Sequence, residues 1–229
     1  MIYGMSLVRN EAGKNRWLDK FLTQMTDICD KVIILDDDSK DLTQDICNDY
    51  GCKIYFSEKS LWGIDEREQR QRLWNETTKR AKEDDWILCL DADELFIPEH
   101  IPYLKYLLNS LNRFDVDGIA FRLYDMWTNK HYREDLWWTA HLRAWTFMVK
   151  YKNMNYKWLD KKLHCGRFPV NSSSKCIQSW IPVKHMGWSL QEFREKKYKR
   201  YMEVDPEGKE GNIEQYKSIL DRNPNLIKF

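Results

Sequence analysis

The sequence has no long hydrophobic run. Its most apolar stretches, Val32-Ile33-Ile34-Leu35 and Trp86-Ile87-Leu88-Cys89-Leu90, have the length of strands, against the roughly 20 residues that a membrane-spanning helix needs. It has no charge of one sign to spare: 37 Lys and Arg stand against 36 Asp and Glu, which excludes a bulk-basic nucleic-acid binder. It has no secretory pattern, because Met1-Ile2-Tyr3-Gly4-Met5 runs straight into Arg9-Asn10-Glu11. The six cysteines (Cys29, Cys47, Cys52, Cys89, Cys165 and Cys176) contain no CxxC pair, so neither a zinc ribbon nor a disulfide framework is indicated. With no leader the chain reads as cytoplasmic, its thiols reduced and serving as small buried hydrophobes. The P-loop and the GxGxxG fingerprint are both absent, and there is no internal repeat or low-complexity segment.

What is abundant is aromatic. Of 229 residues 14% are Phe, Trp or Tyr, and 11 are Trp; such side chains fill a core or grip flat and sugar-like faces. The 42% hydrophobic and 32% charged composition is that of a soluble globular chain with one sizeable core.

Periodicity orders the first part of the chain. Ile2 to Val8 reads as a strand; Trp17, Leu18, Phe21, Leu22, Met25 and Ile28 share one helical face. Lys31 to Leu35 is a buried strand, Asp41 to Tyr50 a helix closed by Gly51, and Ile54 to Phe56 a third strand. Glu66 to Lys82 reads as a polar helix and Trp86 to Leu90 as a fourth strand. This alternation predicts an α/β fold with parallel strands, which bind ligands at their carboxyl ends. Further on, Gly118 to Leu123 and Arg143 to Val149 read as strands. A helix is expected from Ser189, where Ser189 and Glu192 have capping-box spacing, to the stop at Asp205-Pro206-Glu207-Gly208. The tail after Gly211 is polar and expected to be weakly tied down.

Two strands end in acids: Asp36-Asp37-Asp38-Ser39 and Asp91-Ala92-Asp93-Glu94. Both clusters are expected to face one crevice. Asp91 and Asp93 alternate onto one face, and two such carboxylates repel unless a cation joins them; a hard divalent cation carrying a diphosphate would do so. The first cluster can cap a helix, but hardly with all three acids, so a base or ribose contact is the functional reading. His185 is a candidate metal ligand, His164 a candidate base, and the run Arg194 to Arg200 either a solvated helix face or a neutraliser of phosphate charge. With no glycine cradle, phosphates would be held by metal and by Lys or Arg.

This ordered set resembles the family 2 glycosyltransferases with the GT-A fold. The matching pieces are Met5-Ser6-Leu7-Val8-Arg9-Asn10-Glu11, Asp36-Asp37-Asp38-Ser39 with Asp41 and Thr43, Arg67 and Arg70, and Asp91-Ala92-Asp93-Glu94. Lys184-His185-Met186-Gly187-Trp188, followed by Lys197, Arg200 and Tyr201, is similar to the subgroup related to bacterial lipopolysaccharide-core transferases. The resemblance implies a Rossmann-like sheet flanked by helices in a single domain over residues 1–229, with a nucleotide-sugar half (1–96), an acceptor half (97–204) and a tail (205–229). It implies metal-dependent inverting transfer of a sugar from a nucleoside diphosphate, UDP foremost, to a hydroxyl of a saccharide, a lipid-linked saccharide or a protein. The donor is assigned to Val8, Asn10, Glu11, Asp36, Asp38, Arg67, Asp91, Ala92 and Lys197, and Mn²⁺ or Mg²⁺ to Asp93 and His185. The base is left open between His164 and the Glu134-Asp135 pair. Trp127, Trp137 and Trp188 are expected to line the acceptor channel, since aromatic faces stack on sugar C–H faces. The alternative is a non-catalytic nucleotide-sugar or carbohydrate-binding module on the same fold.

Overall fold

The computed structural model describes residues 1–229. Its first part follows the periodicity: β1 (Ile2–Val8), α1 (Leu18–Ile28), β2 (Lys31–Asp36), α2 (Thr43–Asp49), β3 (Lys53–Phe56), α3 (Glu66–Thr78) and β4 (Trp86–Cys89). The four strands are parallel in the order β3-β2-β1-β4. Strands covered on both faces read as continuous apolar runs, and β2 and β4 do. α1 covers one face with Phe21, Leu22 and Met25; α3 covers the other with Leu73 and Trp74. A Cβ on Gly4 would press into Met25 and Cys29, so glycine there lets α1 settle closely on β1. Asp65 caps α3 by accepting the Glu68 N–H at 3.0 Å.

The second part is β5 (Glu94–Phe96), α4 (Ile101–Leu111), β6 (Gly118–Asp125), β7 (His131–Arg133), β8 (Ala144–Lys150), β9 (Cys176–His185), α5 (Gln191–Val204), α6 (Ile213–Ser218) and β10 (Leu226–Lys228). It extends the same sheet to eight strands, β3-β2-β1-β4-β8-β6-β9-β5. β8 runs antiparallel to β4 and β6, β9 runs parallel to β6, and β5 returns antiparallel to β9. No helix is long and apolar enough to cross a membrane, and all six cysteines are unpaired.

Two local expectations give way, and one strand carries no periodic signal. β9 escapes periodicity because Pro182 interrupts it. Its pairing with β6 jumps from Ala120–Gln178 to Arg122–Pro182, a bulge that accommodates a residue without an N–H. The Ser189–Glu192 capping box does not form: the Ser189 hydroxyl donates to the Met186 carbonyl at 2.6 Å, and α5 starts after Leu190 without a side-chain cap. The tail is firmly held. β10 pairs with β7, and Tyr216 and Ile219 are buried with Trp127, Trp138 and Trp188 in a separate apolar cluster.

Arg133 fastens that cluster. It is 2% exposed, donates to the Ser218 carbonyl, Asp221 and Asp135 at 2.6, 2.6 and 2.5 Å, and lies against Trp127 and Trp138. Replacing it strands two carboxylates and a carbonyl while opening an aromatic core. Arg133→Ala should therefore cost about 2–4 kcal/mol of stability, read as a lower urea midpoint.

Candidate active site

Parallel pairing puts the ends of β1 and β4 side by side, at the point where the strand order reverses. A crevice opens at such a switch point. Here it is a cleft of about 600 Å³ walled by the turn after β1 (Arg9, Asn10, Glu11), by α3, by the Asp91–Asp93 turn, by the 163–164 loop and by α5.

The acidic turn is folded by its own backbone. The Glu94 N–H donates to the Asp91 carbonyl at 2.9 Å, and Glu94 Oε2 accepts the Asp91 N–H at 2.8 Å. Two arginines from distant segments hold it. Arg70 of α3 donates to Asp91 Oδ1 at 2.9 Å and to Glu66 at 3.1 Å; Arg167 bonds Glu94 and approaches Asp91 Oδ2 at 3.4 Å. Burial works against ionising Asp91, yet the two guanidinium groups keep its carboxyl below the usual range. Glu94, buried and facing Asp91 and Asp93, is pushed up instead.

β9 supplies the opposite side. Its last residue, His185, pairs with Glu94 on one flank and Asp125 on the other, and the Met186 N–H donates to the Asp93 carbonyl at 2.7 Å. The imidazole then lies between two carboxylates: Nδ1 is 2.8 Å from Asp125 Oδ1 and Nε2 is 3.5 Å from Asp93 Oδ2. Burial lowers the affinity of His185 for a proton, but Asp93 and the Asp125 hydrogen bond outweigh it and lift the imidazole to about 10. Lys197 of α5 completes the group, its Nζ 3.4 Å from both Asp93 Oδ2 and His185 Nε2. Despite burial, these cations hold Asp93 well below the carboxylate range. Gly187 faces the three groups; a Cβ there would collide with Asp93 and Lys197 and lie 3.0 Å from His185 Nε2. No three His, Cys, Asp or Glu side chains gather as a preformed metal cage.

Of the expected site residues, Asn10, Glu11, Asp91, Ala92, Asp93, His164, His185 and Lys197 line this cleft. His164 does so from a left-handed loop position, φ 55°, with its N–H on Glu66. The others do not. Val8 is buried in the core. Asp36 has no exposure and accepts the Ser39 N–H and the Gln44 amide, holding the loop and α2; the direct base contact expected of it is not available to a sealed carboxylate. Asp37 is likewise sealed, receiving Ser60 and the Leu61 N–H. Asp38 pairs with Lys40, and Arg67 points to Asp160 and Asp65. Of the two acidic tips, only the second therefore opens into the cleft.

Glu134 and Asp135 are withdrawn as base candidates. Glu134 is bound by His141 at 2.7 Å and Asp135 by Arg133, both outside the cleft. Trp127 and Trp188 are 4% and 7% exposed and stack in the tail cluster with Trp137 packed against them, so they form core and not an acceptor wall. Sequence reasoning missed Arg167 and Gln69. Gln69 lines the cleft, is 2% exposed, and leaves both amide atoms unpartnered. Its place beside Arg70 on the covered face of a polar helix was the available signal.

The sheet, its strand order and its cleft are those of the GT-A fold. The structure of Staphylococcus aureus TarS superposes on 96% of this chain with a TM-score of 0.53 and 13% identity, and its 1–349 fragment with 0.51 and 13%. The chain spans 42% of the former and 69% of the latter. Glucosyl-3-phosphoglycerate synthase of Mycobacterium tuberculosis, solved with Mn²⁺, UDP and glucosyl-3-phosphoglycerate, aligns over 54% of this chain and 43% of its own, at 17% identity and a TM-score of 0.38. Among curated proteins nothing matches. Residues 9–170 match the model of glycosyl transferase family 2, and the chain belongs to that family.

Glu11 gives the cleft a pH signature. Burial lifts its carboxyl from an ordinary 4.5 to about 7, with Arg16 and Lys197 opposing and Asp93 adding. The folded state thus holds the proton more tightly than the unfolded chain, and this contribution is complete below pH 4.5 and lost as pH rises through about 7. Melting curves of wild type and Glu11→Gln across that window should diverge, the variant gaining on wild type as pH climbs.

Proposed function

We propose that the protein is a metal-dependent inverting glycosyltransferase that moves a sugar from a nucleoside-diphosphate donor to an acceptor hydroxyl. The observation that carries this is the meeting of Asp93 and His185 over Gly187 at the switch-point cleft of a family 2 fold. A carboxylate oxygen and an imidazole nitrogen facing a space that only glycine leaves clear fit a divalent ion, Mn²⁺ or Mg²⁺, completed by diphosphate oxygens. The His185 Nδ1–Asp125 contact is the outer-shell partner that orients such an imidazole. When bound, the ion supplies Lewis-acid stabilisation of the departing diphosphate.

The chain's own groups do the rest. Lys197 and Arg200 bring positive charge from α5 to the phosphates. Asp91, fixed by Arg70 and Arg167, presents an oriented carboxylate toward the ribose. Gln69 offers the nucleoside an amide whose donor and acceptor are otherwise unmet. Inversion requires the acceptor oxygen to attack the anomeric carbon opposite the departing diphosphate, through an oxocarbenium-like state, while a base takes its proton. His164, on the cleft loop, is the remaining candidate base. UDP as the nucleotide and a saccharide, lipid-linked or protein acceptor rest on the resemblance to the family as a whole, and the lipopolysaccharide-core subgroup on the motif around Lys184–Trp188. Six unpaired cysteines are consistent with the cytoplasm, a reducing compartment.

A thermal-shift panel of nucleoside diphosphates, each with and without Mn²⁺ or Mg²⁺, tests the reading and names the base. One diphosphate should stabilise the protein strongly only with metal, and the matching nucleotide sugar should be at least slowly hydrolysed. Asp93→Ala should abolish the metal-dependent shift and lower turnover about 1,000-fold, since leaving-group stabilisation of several kcal/mol goes with the ion. Undiminished turnover in that variant refutes the metal role; diphosphate binding without any turnover identifies a binding module.

A further inference from the structure

Asp93 Oδ2, His185 Nε2 and Lys197 Nζ stand at the corners of a triangle with sides of 3.4, 3.4 and 3.5 Å. The ammonium thus touches both atoms assigned to the metal. A divalent ion binding those two atoms at the usual distance of about 2.1 Å would come within about 4 Å of Nζ, whichever side it took. Two cations cannot share that space without a further anion between them, because their repulsion is strong in a partly buried site. Gly187 keeps the space open but does not widen it: its missing Cβ would already collide with Asp93 and Lys197.

We propose, resting on the metal reading above, that Lys197 is the resident cation of the Asp93–His185 pair. A divalent ion and the Lys197 ammonium are then alternative occupants of the space over Gly187. The lysine gives way when a diphosphate enters, because the phosphates supply the negative charge that lets both cations remain. Lys197 can make this move. Its flexible stem leaves α5 at the cleft wall, and its Nζ lies 4.3 Å over the Trp188 ring, a contact that persists through small rotations. Of the neighbouring charges, Asp125 is on the far side of the imidazole, Asp91 is taken by Arg70, Glu94 by Arg167, and Glu11, which also faces Asp93 and Lys197, is paired with Arg16. Besides Lys197, only His185 offers Asp93 a positive charge. Metal and nucleotide should therefore bind with positive coupling, each raising the affinity for the other by the same factor. The protein without nucleotide should hold metal weakly.

The test is Mn²⁺ binding, followed by the electron paramagnetic resonance of free Mn²⁺, with and without UDP, in wild type, Lys197→Met and Lys196→Met. Methionine keeps the apolar stem over Trp188 and removes the charge; Lys197→Gln serves as a second variant should the first not fold. Lys196 lines the same cleft and bonds none of the three groups, so its variant makes the same change in net charge. The proposal expects Lys197→Met to bind Mn²⁺ alone about tenfold more tightly than wild type, with the gain from UDP correspondingly smaller. It expects Lys196→Met to stay within about twofold of wild type. Quenching of tryptophan fluorescence by Mn²⁺ alone should appear in Lys197→Met at concentrations that leave wild type unquenched. If Lys197→Met binds no more tightly, or Lys196→Met gains as much, the proposal fails while UDP-dependent Mn²⁺ binding in wild type leaves the metal reading standing. If no variant binds Mn²⁺ with or without UDP, both fail.

Discussion

The cleft depends on the seam between β5 and the end of β9. Glu94 pairs with His185, and the Met186 N–H reaches back to the Asp93 carbonyl. Through that seam the turn after β4 and a strand end from the other half of the chain become one rigid edge. Side chains alternate along strands, so one residue of slippage would turn His185 to the opposite face and pair Glu94 with a neighbour. β6 on the far flank prevents this by pairing Asp125 with His185. The position of the imidazole between two carboxylates is thus set by backbone hydrogen bonds, before any side-chain attraction acts.

Electrostatics then works on a frame already in place. Asp91, Asp93 and Glu94 crowd one turn and would repel if left alone. Arg70, Arg167, Lys197 and His185 each come from a separate segment to meet them. Desolvation opposes every one of these charges, and only mutual contact overcomes it. Asp91 has two guanidinium partners and stays ionised, whereas Glu94, more deeply placed beside two other acids, is pushed toward its neutral form. The same balance explains why the first acidic tip is closed. Asp36 meets the Ser39 N–H and the Gln44 amide, and Asp37 the Ser60 hydroxyl and Leu61 N–H of the loop after β3 with Arg9 close by, which suffices to bury them as structural groups.

The parallel half of the fold was legible because its signals are local. Apolar runs, helical spacing and Gly51 each act over a few residues, and β1 to β4 follow them. The acidic turn, with Asn10, Glu11, His185 and Lys197, was legible from motif order. What could not be read was orientation and long-range pairing. Asp36 and Asp91 both follow buried strands, and nothing in their neighbours tells that one is sealed by Gln44 while the other opens to the cleft. Glu134 and Asp135 look free in sequence because their partners, His141 and Arg133, act through a cluster closed by the tail. Trp127 and Trp188 belong to that cluster for the same reason: a tryptophan's burial depends on what returns to cover it, here Tyr216 and Ile219.

Part of the burial without partners lies at the cleft. Both amide atoms of Gln69 and the indole nitrogen of Trp17 are buried in its wall and unbonded. Each such group costs about 1–3 kcal/mol when left unmet, and an apolar residue of similar size at Gln69 would be free of that cost. The wall of α3 is thus less stable than its packing permits, on the side that faces the cleft. Polar ligands recover such costs by supplying the missing partners, and apolar ones do not. This asymmetry favours a ligand with hydrogen-bonding edges beside its charged groups, as a nucleoside diphosphate has, over a simple anion that Lys197 and Arg200 alone would satisfy.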